Sequence, residues 1–524
     1  MLSWSDIRGW NVDEVSMLSI QVINAGSHLR IEADELTRAM GRLHWEGDAA
    51  NAARADLQVR SDECFRAATQ LDEIGRCVAE AAARMYPIAS LVRESVSVGA
   101  EQSFAIADDG AVTDSLVAYT TSAADAWEEG RHRLRLLREL TERVHVTLRR
   151  ATEIDEDTAA SLLDGGEDRE QISQPPLPAP GTAPANAAFW ASLTPIEQAA
   201  LLDRHPGSIG NLDGIPAAVR DDANREVLRA ERVRLEGVAK QLAHRVENNV
   251  FGGLFDDADA GLKQTLERLD ALDAITRTLE KGDRQLLVLD NSTSDETLAA
   301  IGVGDVHTAT HVAVFVPGFG SDVADDLGRY DGDIGALKTQ VQAHLPAQES
   351  VACVTWMNYQ TPEFGMALLD PGRTVATSAA AATGGQRLTS FLDGLDAARS
   401  QDPHLSLLGH SYGSLTAAMS VRDADANGVD ALVALGSPGL DVRDASALSV
   451  PPGSVFVGEA PGDMVADLGA FGVDPSGMDG VRLLATDEAS NLKQAQGHSE
   501  YLTEGTLIQR DVALVVAGRT DELR

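Results

Sequence analysis

Seven short apolar runs punctuate residues 284–486: RQLLVLD (284–290), HVAVFVP (311–317), SVACVTW (350–356), HLSLLGH (404–410), DALVALGS (430–437), GSVFVGE (453–459) and VRLLAT (481–486). Amphipathic helical stretches separate most of them. Continuous apolar strands alternating with helices predict a mostly parallel sheet covered on both faces, with right-handed crossovers.

The fourth run ends in an unusual way. LSLLGHSYGSLTAA (405–418) passes from an apolar strand through Gly409, His410, Ser411, Tyr412 and Gly413 into a helix. Gly-x-Ser-x-Gly between strand and helix is the pattern of a nucleophile elbow. The turn is so tight that side chains two before and two after the serine would collide, and Gly409 and Gly413 remove the collision. Ser411 is expected at the C-terminal edge of the sheet, at a helix N-terminus that favours developing negative charge.

A serine hydroxyl needs a base to become a nucleophile at neutral pH. In this strand–helix order the acid and then the histidine follow the serine, each after a later strand. Asp463 lies in the Pro-Gly turn after run 453–459, where it could also cap the helix MVADLG. Asp467, inside that helix, and Asp474, in VDPSG, are the alternatives. His498 lies in the loop after run 481–486, between Gly497 and Ser499, on no apolar stripe. His410 is expected to point away from Ser411, and His404 only starts a strand. Two backbone N–H groups should hold the oxyanion: Tyr412, after the nucleophile, and Phe319, in the loop Pro317-Gly318-Phe319-Gly320. Trp356, Tyr359 and Phe364 follow a strand whose end should face the cleft, so they line an acyl pocket or belong to the core. No cofactor is expected, and no HExxH or CxxC spacing points to a metal.

The first third of the chain is helical in pattern. Val15, Leu18, Val22, Ala25, Leu29, Leu36 and Met40 form one stripe, and Leu57, Cys64, Leu71, Val78 and Met85 recur at sevens, with Ala67, Ile74 and Ala81 between them. This predicts an antiparallel hairpin turning at Trp45-Glu46-Gly47, its second helix ending at Pro87, with a third helical stretch at 113–152 covering the stripe and Cys64 buried as an inert thiol. Asp109-Gly110 signals a β-hairpin. Two longer helices are expected at 216–249 and 258–281. The segment 161–188, rich in Gly and Pro, reads as a linker.

Composition removes several classes of function. Against 81 acidic residues stand 43 Lys and Arg, a formal charge of −38, with no basic patch to engage nucleic acid or an anionic membrane. No run approaches the roughly 18 apolar residues of a membrane span, and the N-terminus lacks the charged and apolar regions of a secretory signal. The three cysteines, Cys64, Cys77 and Cys353, suit neither a disulfide framework nor a zinc site.

The stretches WASLTPIEQAALLDRHPGSIGNLDGIPAAVRDDANR, VAVFVPGFGS, VTWMNYQTPE, LLGHSYGS, ALGSPG, PGDMVADLGAFGVDPSG and GHSEYL resemble an actinobacterial family of α/β-hydrolases of unassigned substrate. That resemblance implies an α/β-hydrolase fold, a serine esterase or lipase activity, and Ser411, Asp463 and His498 at the family's motif positions. HWEGDAANAA resembles the Trp-x-Gly hairpins of type VII secretion, although no Tyr-x-x-x-Asp/Glu follows it. The expected organisation is a helical hairpin (1–160), a linker (161–188) and a hydrolase domain (189–524) whose first part, 189–282, is a helical extension. The expected function is cleavage of a small-molecule or lipid ester, in the cytoplasm or after export by a type VII-like route. Rival readings are a non-enzymatic protein whose hairpin binds a protein partner, and a secreted effector or toxin hydrolase.

Overall fold

The computed structural model describes residues 2–42, 44–116, 123–163, 177–178, 181–247, 258–362, 378–422, 428–466, 470–488 and 492–524, with side chains from 129 and 259 onward in the helices that begin at 123 and 258. Contacts divide the chain into two units, one of residues 1–117, 137–179 and 188–201, the other of residues 118–136, 180–187 and 202–524. None of the described helices is long and apolar enough to cross a membrane.

In the first unit, helices Val12–Arg42 and Asp48–Gln102 form the hairpin, and Gly47 opens the second at φ +113°, a backbone state that explains glycine at the turn. The buried seam differs from the expected stripe. It consists of Val12, Ser19, Gly26 and Ala33 on one helix and Ser61, Ala68, Gly75 and Ala82 on the other, again at sevens. Small residues let the backbones approach: a Cβ on Gly75 would lie 2.5 Å from Ile23 Cγ1, and one on Gly26 would lie 3.0 Å from the Ala68 carbonyl. The larger residues at Leu57, Cys64, Leu71, Val78 and Met85 flank this seam half-buried, so Cys64 is not enclosed, and Leu18 is exposed. Nor does the second helix stop at Pro87. Burial of Ile88, Leu91 and Val92 beyond it outweighs the roughly 3 kcal/mol that an interior proline costs.

Strands β1 (Phe104–Ile106) and β2 (Val112–Asp114) pair around Asp109-Gly110 as expected, with Gly110 at φ +87°. The third helix runs Ala123–Leu163, and its part within this unit joins the C-terminal half of Asp48–Gln102 through Arg143–Glu94 and Arg84–Asp157. Residues 188–201 also belong here. Glu197, 3% exposed, accepts a hydrogen bond from Arg150 and forms an ion pair with Arg84, both buried, so one carboxylate anchors the segment to two helices.

The second unit holds an eight-stranded sheet, β3 (Arg284–Asp290), β4 (Leu298–Val303), β5 (His311–Val316), β6 (Val351–Met357), β7 (His404–His410), β8 (Val429–Leu435), β9 (Val455–Gly458) and β10 (Val481–Leu483), in the order β10-β9-β8-β7-β5-β6-β4-β3. It is parallel except at β4, which sequence patterning does not reveal and which runs antiparallel to β3 and β6. Each apolar run feeds two cores by simple alternation. Val312, Val314 and Val316 face one cluster, while Ala313 and Phe315 face the other. Helices Val323–His344, Ala379–Ala397 and Tyr412–Arg422 make the crossovers.

Strand β3 is an edge, and the helical segment before it closes that edge. Helix Ala217–Glu247 and the turn before it supply Asp221, which accepts from the Leu286 N–H (2.7 Å), Asn224, which donates to the Leu286 carbonyl (3.0 Å), and Asn211, which bonds both the N–H and the carbonyl of Leu289. Side chains thus stand in for the neighbouring strand that an edge lacks. Asn224 is fully buried and donates to the Gly210 carbonyl as well. Asn224→Leu leaves both carbonyls without their amide donor. It should lower stability by about 2–3 kcal/mol, read as a fall in the urea midpoint, with increased aggregation on refolding. An unchanged midpoint would mean that these bonds do not seal the edge.

Candidate active site

The parallel strands deliver their functional loops to one rim of the sheet. From β5 the chain moves to β6 on one side and then to β7 on the other, so the crevice between the ends of β5 and β7 is the topological switch point where open α/β sheets bind ligands. The loop after β5 carries Pro317-Gly318-Phe319-Gly320, and the turn after β7 carries Ser411.

Ser411 has φ +53°, a strained state for a non-glycine residue, and it is 6% exposed. Its surroundings show what maintains the strain. The Ser411 N–H donates to the Leu435 carbonyl at 2.9 Å, and the Ser411 carbonyl accepts from the Ser414 hydroxyl. A Cβ on Gly413 would lie 2.5 Å from the Pro317 carbonyl, and one on Gly409 would lie 2.8 Å from the Ser414 N, so both elbow glycines are sterically required. Gly318 abuts the serine itself: a Cβ there would lie 2.6 Å from Ser411 Cβ and 3.1 Å from its Oγ. This brings the loop bearing Phe319 against Ser411. Tyr412 begins the helix that follows; its ring is buried edge-on to Phe471, and its hydroxyl accepts from the Ala381 N–H.

Asp463 and His498, which follow β9 and β10, meet directly. His498 Nδ1 lies 2.9 Å from both carboxylate oxygens of Asp463. A carboxylate only accepts, so Nδ1 carries the proton, and a neutral His498 holds its lone pair on Nε2. Asp463 is buried. Burial alone would raise its pKa, but hydrogen bonds from His498 and Tyr501, and from the backbone at Ala466, hold it down at about 2. The N–H groups of Val465 and Ala466 also make it the cap of the turn that follows. The alternative Asp474 caps a separate short turn at Ser476, and Asp467 lies outside the described residues.

Gly436 links this pair to Ser411. It directly follows Leu435, whose carbonyl holds the Ser411 N–H. A Cβ on Gly436 would lie 2.7 Å from Asp463 Oδ2, 2.9 Å from Tyr501 Cε2 and 3.1 Å from His498 Nδ1. Sequence reading passed over Gly436, whose only signal is a small residue after a strand. It also passed over Tyr501, which donates to Asp463 Oδ2 at 2.5 Å and accepts from the Ala460 N–H. His410 donates to the His498 carbonyl at 2.6 Å. His404 donates to the Val515 carbonyl at the far end of the sheet.

Trp356 and Tyr359 belong to the core. Trp356 is fully buried and stacks on Tyr359, with ring centroids 5.8 Å apart, and the Tyr359 hydroxyl donates to the Pro317 carbonyl at 2.6 Å. Tyr359 therefore braces the loop that precedes Phe319, together with the bonds from Thr361 Oγ1 to the Ser321 carbonyl and from the Gly320 N–H to the Pro362 carbonyl. Phe364 lies outside the described residues.

A doubly covered parallel sheet with a strained serine at its switch point and an Asp–His pair on the same rim is the architecture of the α/β-hydrolase class. A family model described as alpha/beta hydrolase matches residues 292–473. The chain is 31% identical over 388 residues to an uncharacterized protein of Mycobacterium tuberculosis, covering 66% of this chain and 57% of that one. It is 30% identical over 233 residues to an uncharacterized protein of Mycobacterium bovis, covering 42% of this chain and 84% of that one. The chain belongs to this α/β-hydrolase family with mycobacterial members, and it spans little more than half the length of the Mycobacterium tuberculosis relative. Among solved structures it is similar to an esterase of Pyrobaculum calidifontis (12% identity, 49% of this chain and 93% of that one, TM-score 0.28). It is also similar to the esterase LipW of Mycobacterium marinum (13% identity, 51% and 91%, TM-score 0.28).

Proposed function

We propose that the protein is a serine hydrolase that cleaves a carboxylic ester of a small molecule or lipid through an acyl-enzyme. The observation that supports this reading is the His498–Asp463 pair packed against Gly436, the residue after Leu435, whose carbonyl accepts from the N–H of a serine held at positive φ. Ser411 Oγ attacks the ester carbonyl carbon while His498 Nε2 takes its proton. Asp463 keeps the imidazole in the tautomer that accepts there and stabilises the imidazolium that forms. The backbone N–H groups of Phe319 and Tyr412 hold the oxyanion. The tetrahedral intermediate collapses, the C–O bond to the leaving group breaks, and His498 returns the proton to the departing alkoxide. Water then repeats the sequence on the acylated Ser411.

The test is a panel of p-nitrophenyl esters from acetate to palmitate, read with the wild-type protein and His498→Ala. The wild type should show a maximum at one chain length, and the variant should lose about 10⁵–10⁶ in kcat there. Equal rates for the two proteins would overturn the assignment of the base.

For the hairpin we propose a protein-binding role of the kind the Trp-x-Gly turn suggests, with export by a type VII-like route or residence in the cytoplasm as the two settings. Its exposed Met17, Leu18, Ile20, Ile31 and Trp45 support a contact surface.

A further inference from the structure

We propose that His410, the residue before the nucleophile, is a positioning residue that fixes the His498 base from the central strand of the sheet. The inference rests on the catalytic reading of His498. His498 itself belongs to no helix or strand; it follows Gly497, at φ +62°, in the irregular segment 492–506. A base in such a segment needs a rigid support, because a misplacement of about 1 Å can cost on the order of 100-fold in rate.

His410 supplies that support in two ways. Its Nε2–H donates to the His498 main-chain carbonyl at 2.6 Å, which ties the loop to β7. Its ring lies against the His498 ring, with centroids 4.8 Å apart and planes at 38°, which limits rotation of the imidazole. The Tyr501 ring sits on the other contact of His410, at 5.9 Å, while the Tyr501 hydroxyl holds Asp463. One layer of side chains thus orients both the base and its acid partner.

The protonation state fits the role. Burial, and then the neighbouring His498, lower His410 to about 4, against weaker opposing influences from the His498 carbonyl and Asp463; Arg329 adds a further small lowering. At neutral pH the ring therefore has a single N–H. A carbonyl can only accept, so that proton is on Nε2. A cationic ring here would add a charge against the imidazolium that forms during the reaction; the neutral ring holds the loop without that repulsion.

The experiment compares His410→Gln, His410→Asn and His410→Phe with the wild type on the best ester of the panel. It also records the low-field proton resonance of the His498 Nδ1–H bound to Asp463. Gln carries an amide N–H to the place of Nε2, whereas the Asn amide stops short of the carbonyl and Phe keeps only the ring packing. Expected is a 10- to 100-fold loss of kcat for Phe and Asn with KM within about two-fold, recovery to within about three-fold for Gln, and a low-field resonance kept by Gln and shifted or broadened in the other two. Asn keeps the inference testable should Phe fail to fold. Wild-type kcat and resonance in Phe and Asn, or a Gln variant as impaired as they are, would overturn it. Should the wild type hydrolyse no ester, the hydrolase reading fails separately. The resonance then decides alone, because a signal unchanged by His410→Asn would remove the positioning role.

Discussion

Ser411→Ala is expected to abolish the proposed ester turnover: kcat should fall about 10⁶-fold, equivalent to roughly 8 kcal/mol of transition-state stabilisation, with KM nearly unchanged. The size follows from the division of labour at the site. In the proposed mechanism, removal of Oγ leaves His498 no proton to take, no acyl-enzyme forms, and the oxyanion donors can only assist direct attack by water. The substitution should leave the fold intact, because the backbone bonds at 411, from its N–H to Leu435 and from its carbonyl to Ser414, need no hydroxyl. The residue stays at φ +53°, where alanine is no better suited than serine. Steady-state kinetics with thermal unfolding measured in parallel checks both halves. A loss below about ten-fold would place the nucleophile elsewhere.

Gly436→Ala is expected to cost about 10³–10⁴ in kcat, comparable to disabling the proposed triad acid Asp463, although residue 436 has no part in the proposed chemistry. The added Cβ enters the space of Asp463 Oδ2, the Tyr501 ring and His498 Nδ1 together, at a position whose φ of +56° already disfavours alanine. Asp463 cannot yield easily, since Val465, Ala466, His498 and Tyr501 all donate to its carboxylate. The collision is therefore relieved by parting the Asp463–His498 pair, and His498 loses the partner that keeps its proton on Nδ1. A Gly436→Ala enzyme with more than a tenth of wild-type kcat would show that the pair tolerates displacement.

Much of this architecture is legible in the sequence, and the limits have physical causes. The fully buried strands announce themselves as continuous runs such as HVAVFV, because both faces are covered. Strand β4, LAAIGV, does not: Ala299, Ala300 and Gly302 have little intrinsic strand preference, and the strand forms because β3 and β6 offer it partners. The hairpin shows the opposite error. Leu, Val and Met at regular spacing outweigh Ser19, Gly26, Ala33, Ala68 and Gly75 in any reading by hydrophobicity, yet the small residues make the seam because only they permit close backbone approach. Pro87 misleads because tertiary burial on both sides carries the helix across it.

At the site, residues with an ordered place after strands are readable, and the structure brings Asp463 and His498 together. Tyr501 and His410 escape sequence reading because their roles are defined by neighbours 38 positions away, for Tyr501 and Asp463, and 88 away, for His410 and His498, and Gly436 because its role is defined by the distant Asp463 and His498. Trp356 and Tyr359 illustrate a different ambiguity. Large aromatics after a strand suit a pocket or a core equally, and only packing decides between them.

The central claim is that Ser411 is made nucleophilic by His498 and Asp463. The most direct test treats the full-length folded protein with a fluorophosphonate and locates the adduct by peptide mass spectrometry. One phosphonyl group on the peptide bearing Ser411, absent from Ser411→Ala and much slowed in His498→Ala, is the predicted result. An unlabelled wild type beside a labelled control hydrolase, or a label on any other residue, would contradict it.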